Sequence, residues 1–160
     1  TSTENLRRVL MRRVDRSARA HGTDREEGIG FVDQILKRYC SAKLLDDDAY
    51  AAARAASMRQ RGASGRAIRS NLRAKGVKSE TIDLVLDEQL KDSPATEIKA
   101  AFTYCRRRRL GPWRTVGREE RREKDIASLA RQGYSVDIAL RVIDAVSIDE
   151  LEMEMTSESM

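Results

Sequence analysis

The sequence predicts an all-α fold with no sheet, built as tandem three-helix repeats in an elongated, curved helical array, and three observations carry that prediction. Apolar residues recur at helical spacing wherever a pattern can be read, and no stretch alternates apolar and polar side chains as a strand would. Only 4% of the 160 residues are aromatic while 36% are charged, so the core must come from Leu, Ile, Val and Ala, which suits helices better than sheets. The third observation is internal repetition. Residues Leu72 to Val77 overlie Leu129 to Tyr134 at a shift of 57 positions, Gly76 falling on Gly133, and the next helix matches as well, Val85 with Val142, Leu86 with Ile143 and Asp87 with Asp144. A shift of 54 places Gly22 on Gly76, Phe31 on Val85, Val32 on Leu86 and Asp33 on Asp87. Three copies of one helical unit are implied.

The elements follow in order. A first stripe runs through Leu6, Val9, Leu10 and Val14, an insert follows over roughly 15–28, and a second stripe runs through Phe31, Val32, Ile35, Leu36 and Tyr39. These two helices make repeat one, residues 1–45, whose own first helix is expected to be missing. Repeat two, 46–92, has helices over 47–61, 66–75 and 79–91; Asp46, Asp47 and Asp48 favour the N-terminus of the first, and Ser79 is the expected N-cap of the last. Repeat three, 93–146, opens at Ser93-Pro94 and has helices over 94–109, 119–132 and 135–146. In each repeat a glycine (Gly22, Gly76, Gly133) stands where a helix must end in a left-handed residue and the chain restart at an angle. A unit of about 45 residues is near the lower size limit for folding alone, so the units must lean on one another. The tail, 147–160, holds five acids and no base and is expected to be flexible.

Composition excludes several classes. No run of 18 apolar residues exists, so no membrane span and no membrane partner is expected. Cys40 and Cys105 lie within or beside apolar stripes and read as reduced core thiols, and with His21 as the one histidine they draw neither a zinc motif nor a disulfide framework. A metal-free, cofactor-free, cytoplasmic monomer is the expectation. No phosphate-binding loop or dinucleotide fingerprint is present, and Trp113, after Gly111-Pro112, reads as a plug between units. The missing initiator methionine suggests a trimmed chain.

Charge is the informative feature. The net is +5, and without the acidic tail the balance is 31 bases to 21 acids, a net +10. Between Asp48 and Glu80 stand eight bases (Arg54, Arg59, Arg61, Arg66, Arg69, Arg73, Lys75, Lys78) and no acid. On a helix Arg66, Arg69 and Arg73 share one face beside the Ile68 and Leu72 stripe, where guanidinium groups are able to hold phosphates or carboxylates in paired hydrogen bonds. Arg106, Arg107, Arg108 and Arg109 form a second cluster at a helix end, where the dipole also favours cations. The candidate binding set is therefore Arg59, Arg61, Arg66, Arg69, Arg73, Lys75 and Arg106 to Arg109, with no catalytic group.

The run from Leu44-Leu45-Asp46-Asp47-Asp48-Ala49-Tyr50-Ala51 through Arg61-Gly62 to Ala67-Ile68-Arg69-Ser70-Asn71-Leu72-Arg73-Ala74-Lys75-Gly76-Val77 resembles the central signature of the RecX regulatory proteins, bacterial modulators of the RecA recombinase. Leu129 to Ser135 looks like the final repeat of that family. Gly62-Ala63-Ser64-Gly65 lacks the proline that the family usually places in this turn. The resemblance implies a non-catalytic protein that lies along the groove of the RecA–DNA filament, inhibits ATP hydrolysis and strand exchange, and so restrains homologous recombination, DNA repair and the SOS response. The alternative from the residues alone is a stand-alone module that grips single- or double-stranded DNA by its phosphates. Both readings predict binding that salt weakens.

Overall fold

The computed structural model describes residues 1–157, and among these it is entirely helical, with nine α-helices, one short 3-10 turn and no strand. The helices are α1 (Thr3–His21), α2 (Arg25–Ser41), α3 (Asp47–Gln60), α4 (Gly65–Ala74), α5 (Ser79–Asp92), α6 (Thr96–Arg108), α7 (Arg118–Arg131), α8 (Val136–Ile143) and α9 (Ile148–Ser157), the 3-10 turn being Gly111–Trp113. Side-chain caps start six of them: Ser2, Asp24, Asp46, Ser64, Ser135 and Ser147 each accept from a backbone N–H two or three residues on. Each cap satisfies a donor that the helix leaves open and contributes about 1 kcal/mol.

The apolar stripes close three separate cores in chain order. In the first, Leu6, Leu10, Met11 and Val14 of α1 pack against Val32, Leu36 and Leu45. In the second, Ala51 and Ala55 of α3 meet Ile68 and Leu72 of α4 and Ile82, Val85 and Leu86 of α5. The third joins α6, α7, α8 and α9 through Ile98, Ala101, Phe102, Cys105, Leu129, Ala139, Val142, Ile143 and Leu151. Burying a side chain such as Ile68 or Leu72 completely stabilises the fold by about 1.5–3 kcal/mol. Phe31, Ile35 and Tyr39 of α2 stay exposed, although Val85, the repeat counterpart of Phe31, is buried against α3.

The cores are joined by a device that occurs twice. Ser2, fully buried at the start of α1, accepts from Asn5 N at 3.2 Å and donates its hydroxyl to the Lys75 carbonyl at the end of α4. Ser64, fully buried at the start of α4, accepts from Ala67 N at 3.1 Å and donates to the Gln132 carbonyl at the end of α7 at 2.6 Å. Each serine thus caps one helix and satisfies the open carbonyl end of another. The glycine after each accepting residue, Gly76 at φ +76° and Gly133 at φ +88°, lies directly under the joint. A Cβ on Gly76 would stand 2.3 Å from Glu4 Cγ, and one on Gly133 would stand 2.9 Å from Ser64 Oγ. Gly here serves close approach as well as the left-handed turn.

Six expectations are corrected. The insert after Val14 is mostly helix: α1 runs unbroken to His21 and is capped by Gly22, because Ala and Arg sustain a helix without an apolar stripe. The acidic tail carries α9, whose Leu151 is fully buried; residues 158–160 lie outside the described residues. Ser79 is the first helical residue of α5 and not its cap, and Ser93-Pro94 forms a turn ahead of α6, which starts at Thr96. Trp113 packs within the third core, edge-on to Phe102 at 4.8 Å and 88°, and does not plug a gap between units. Cys40 is exposed, since it sits on the uncovered end of α2, whereas Cys105 is buried and its thiol is pushed up to about 12 by burial and then by the Asp125 charge.

Candidate partner-binding surface

α4 presents its outer face because Ile68 and Leu72 are drawn fully into the second core. Arg66 and Arg73 are exposed and form no ion pair among the described residues, and Lys75 and Lys78 extend the run of bases beyond the helix end. Arg69 is drawn into an exposed ion pair with Asp83 of α5, a contact of the kind that contributes about 0–1 kcal/mol and yields to a competing anion. Arg66 also lies beside the joint, its Cβ close over Gly133, and lines an open concavity with Ser70, Arg131 and Gln132.

The other sequence-predicted cations are placed differently. Arg59 is nearly buried: its guanidinium pairs with Glu97 of α6 and donates to Gln89 Oε1 and to the Ala63 carbonyl, each at 3.1 Å. Glu97 also accepts from Gly65 N, so this cluster binds α3, α4, α5 and α6 together and leaves Arg59 off the outer face. Arg61 turns back on its own helix to Ser57, and its carbonyl accepts from Arg107 Nη1 at 2.6 Å. Arg106 and Arg108 lie over the rings of Phe102 and Tyr104 at 5.9 and 6.0 Å, contacts worth about 0.5–1 kcal/mol at an exposed site. Arg109 adopts φ +55° as the left-handed cap of α6 and projects outward. The cluster is therefore partly structural, while Arg66, Arg73, Lys75 and Arg109 remain open.

Sequence reasoning missed a further group. The outer half of α1 carries Arg12, Arg13, Arg16 and Arg19, none of which forms an ion pair among the described residues. The signal was present: these positions fall off the Leu6, Leu10 and Val14 stripe, Arg12 and Arg13 within the first expected helix and Arg16 and Arg19 in the expected insert.

The remaining charged groups hold the scaffold. Asp144 is kept below the ordinary carboxylate range by hydrogen bonds from Arg122, which outweigh partial burial. Burial pushes the Asp125 carboxyl up, but hydrogen bonds from Arg114 and from Gly111 N bring it net below the ordinary value. Tyr134 is held protonated by burial, its hydroxyl donating to the Gly62 carbonyl at 2.9 Å. Asp46, Asp47 and Asp48 are spent on Ala49 N, on Thr3 and on Thr81. Among the described residues no group of three or more His, Cys, Asp or Glu is placed to hold a metal ion, and no helix is long and apolar enough to cross a membrane.

Fold and surface together define an all-helical protein of tandem three-helix units with cationic helix faces. Residues 46–86 match the family model for the second three-helix domain of RecX. The chain is 42% identical over 142 residues to "Regulatory protein RecX" of Myxococcus xanthus (strain DK1622), covering 88% of this chain and 75% of that one. It is 35% identical over 111 residues to the protein of the same name from Agrobacterium fabrum (69% and 56%), and 33% identical over 116 residues to that of Streptomyces coelicolor (70% and 58%). No solved structure matches. The chain belongs to the RecX family of regulatory proteins.

Proposed function

We propose that this chain is a non-catalytic cytoplasmic regulator that binds the RecA recombinase filament along its groove and inhibits ATP hydrolysis and strand exchange. Family membership supports the reading, since the relatives carry the name of a regulatory protein. The observation that carries it to particular residues is the cationic face of α4, where Arg66, Arg73 and Lys75 form no ion pair among the described residues. The units lie at 1–45, 46–92 and 93–146, with α9 of the tail packed onto the third core. An array of this kind offers a long contact surface from few residues. Unpaired guanidinium groups on it suit carboxylates lining a protein groove, and such charge complementarity steers docking and selects the partner more than it adds affinity.

The test is steady-state RecA ATPase on single-stranded DNA, titrated with wild-type chain and with the Arg66→Gln/Arg73→Gln double variant. The wild type is expected to suppress turnover, and the variant to need at least about tenfold more protein, equivalent to 1.4 kcal/mol. Suppression by the variant at wild-type concentrations removes α4 from the contact, and no suppression by the wild type removes the recombinase reading itself.

A further inference from the structure

We propose that the outer face of α1 is a binding surface for the phosphate backbone of duplex DNA, separate from the α4 face. α1 carries six arginines, Arg7, Arg8, Arg12, Arg13, Arg16 and Arg19, against two acids. Both acids are already paired, Glu4 with Arg8 and Asp15 with Arg25 at 2.8 Å, and Arg7 is paired with Asp33. Among the described residues Arg12, Arg13, Arg16 and Arg19 have no carboxylate partner.

Their placement is directional. Arg12, Arg16 and Arg19 follow the i, i+4, i+7 pattern of one helix face and span roughly 10 Å along the axis. At about 100° per residue the centre of that face lies roughly half a turn from the centre of the Leu6, Leu10 and Val14 face, which packs on α2. The N-terminal end of α1 is fastened to α4, by Ser2 to the Lys75 carbonyl and by Arg8 Nη1 to the Ala74 carbonyl at 2.7 Å. From Arg8 the helix advances roughly 6 Å to Arg12 and roughly 16 Å to Arg19, so the stripe leads away from that joint.

The chemistry of the face selects among polyanions. Arg12, Asp15, Arg16, Arg19 and Ala20 line one open concavity, with no aromatic or large aliphatic side chain among them. An unpaired strand would be held by aromatic rings and by free bases stacked on them. Duplex DNA requires neither: its bases are already stacked, and it presents one phosphate charge per about 1.7 Å of axis to guanidinium groups that need read no sequence.

The test is fluorescence anisotropy of the full chain with a short labelled duplex and with a single strand of the same length, from about 50 to about 200 mM salt. No recombinase is present, so the outcome is independent of the reading proposed above. The Arg12→Gln/Arg16→Gln/Arg19→Gln variant, with unchanged helicity by circular dichroism, is expected to bind the duplex at least about tenfold more weakly at low salt, and to flatten the slope of log K against log salt by about three. The Arg12→Lys/Arg16→Lys/Arg19→Lys variant, which keeps the charge, is expected to retain the slope. A wild-type chain that prefers the single strand or ignores the duplex, or a glutamine variant with unchanged slope, overturns the assignment.

Discussion

Replacing Ser64 by alanine removes one hydroxyl that serves two helices, and the cost follows from both. Ala67 N loses its cap acceptor, typically about 1 kcal/mol. The Gln132 carbonyl loses its donor inside a joint where Ser64 is fully buried, and an unsatisfied buried acceptor costs about 1–3 kcal/mol. Together Ser64→Ala should destabilise the chain by about 2–4 kcal/mol, a fall in Tm of at least about 4 °C at this length. Ser135 is the internal control, because it caps α8 by accepting from Ile138 N at 3.2 Å but is exposed and joins nothing. Ser135→Ala should cost about 1 kcal/mol. Thermal and urea unfolding followed by circular dichroism measure both. Equal losses for the two variants would refute the joint, since they would show that the Gln132 carbonyl finds an equivalent partner without Ser64.

Further outcomes are expected. Gly133→Ala should cost more than the roughly 1–2 kcal/mol of a left-handed alanine, because its Cβ would press on Ser64 Oγ; a loss below about 1 kcal/mol in urea unfolding would contradict that contact. Asp125→Asn should cost about 3 kcal/mol at neutral pH, by leaving Arg114 and Gly111 N without their carboxylate. Since the folded Asp125 carboxyl is net below its ordinary value, its contribution is complete above the unfolded value of about 3.9 and fades as pH falls through the folded one; the variant should therefore show a shallower acid limb of stability against pH, and an identical limb would exclude Asp125 as a source. An aromatic disulfide reagent should modify Cys40 at neutral pH and leave Cys105 intact until the third core opens, and fast reaction of two thiols per native chain would place Cys105 outside that core.

How much of this was legible in the sequence depends on what each residue answers to. The helices of the middle and last repeats were readable to within about three residues because Ile68, Leu72, Ile82, Val85, Leu129 and Val142 all point into cores that need their spacing. The outer half of α1 was not, since a helix sustained by Arg and Ala propensity has no apolar period to read. α9 had a weak signal in Ile148, Leu151 and Met155, hidden by acids that suggested a solvated tail. On the surface, composition identified the bases but not their commitments. Arg59 and Arg66 look alike in the sequence, and only the approach of Glu97 from α6 draws one inward and leaves the other free. The joints were invisible for a different reason: a serine donating to a main-chain oxygen 68 positions away leaves no trace on the residue that receives it.

That last asymmetry bears on how such a protein can change. The receiving positions, Lys75 in one joint and Gln132 in the other, share no side-chain chemistry, because each contributes only its backbone oxygen. Substitution there is free to retune surface charge along the array without disturbing how neighbouring modules are angled. The hydroxyl donor and the glycine beside the acceptor have no such latitude, so variation should accumulate on one side of each seam and stall on the other.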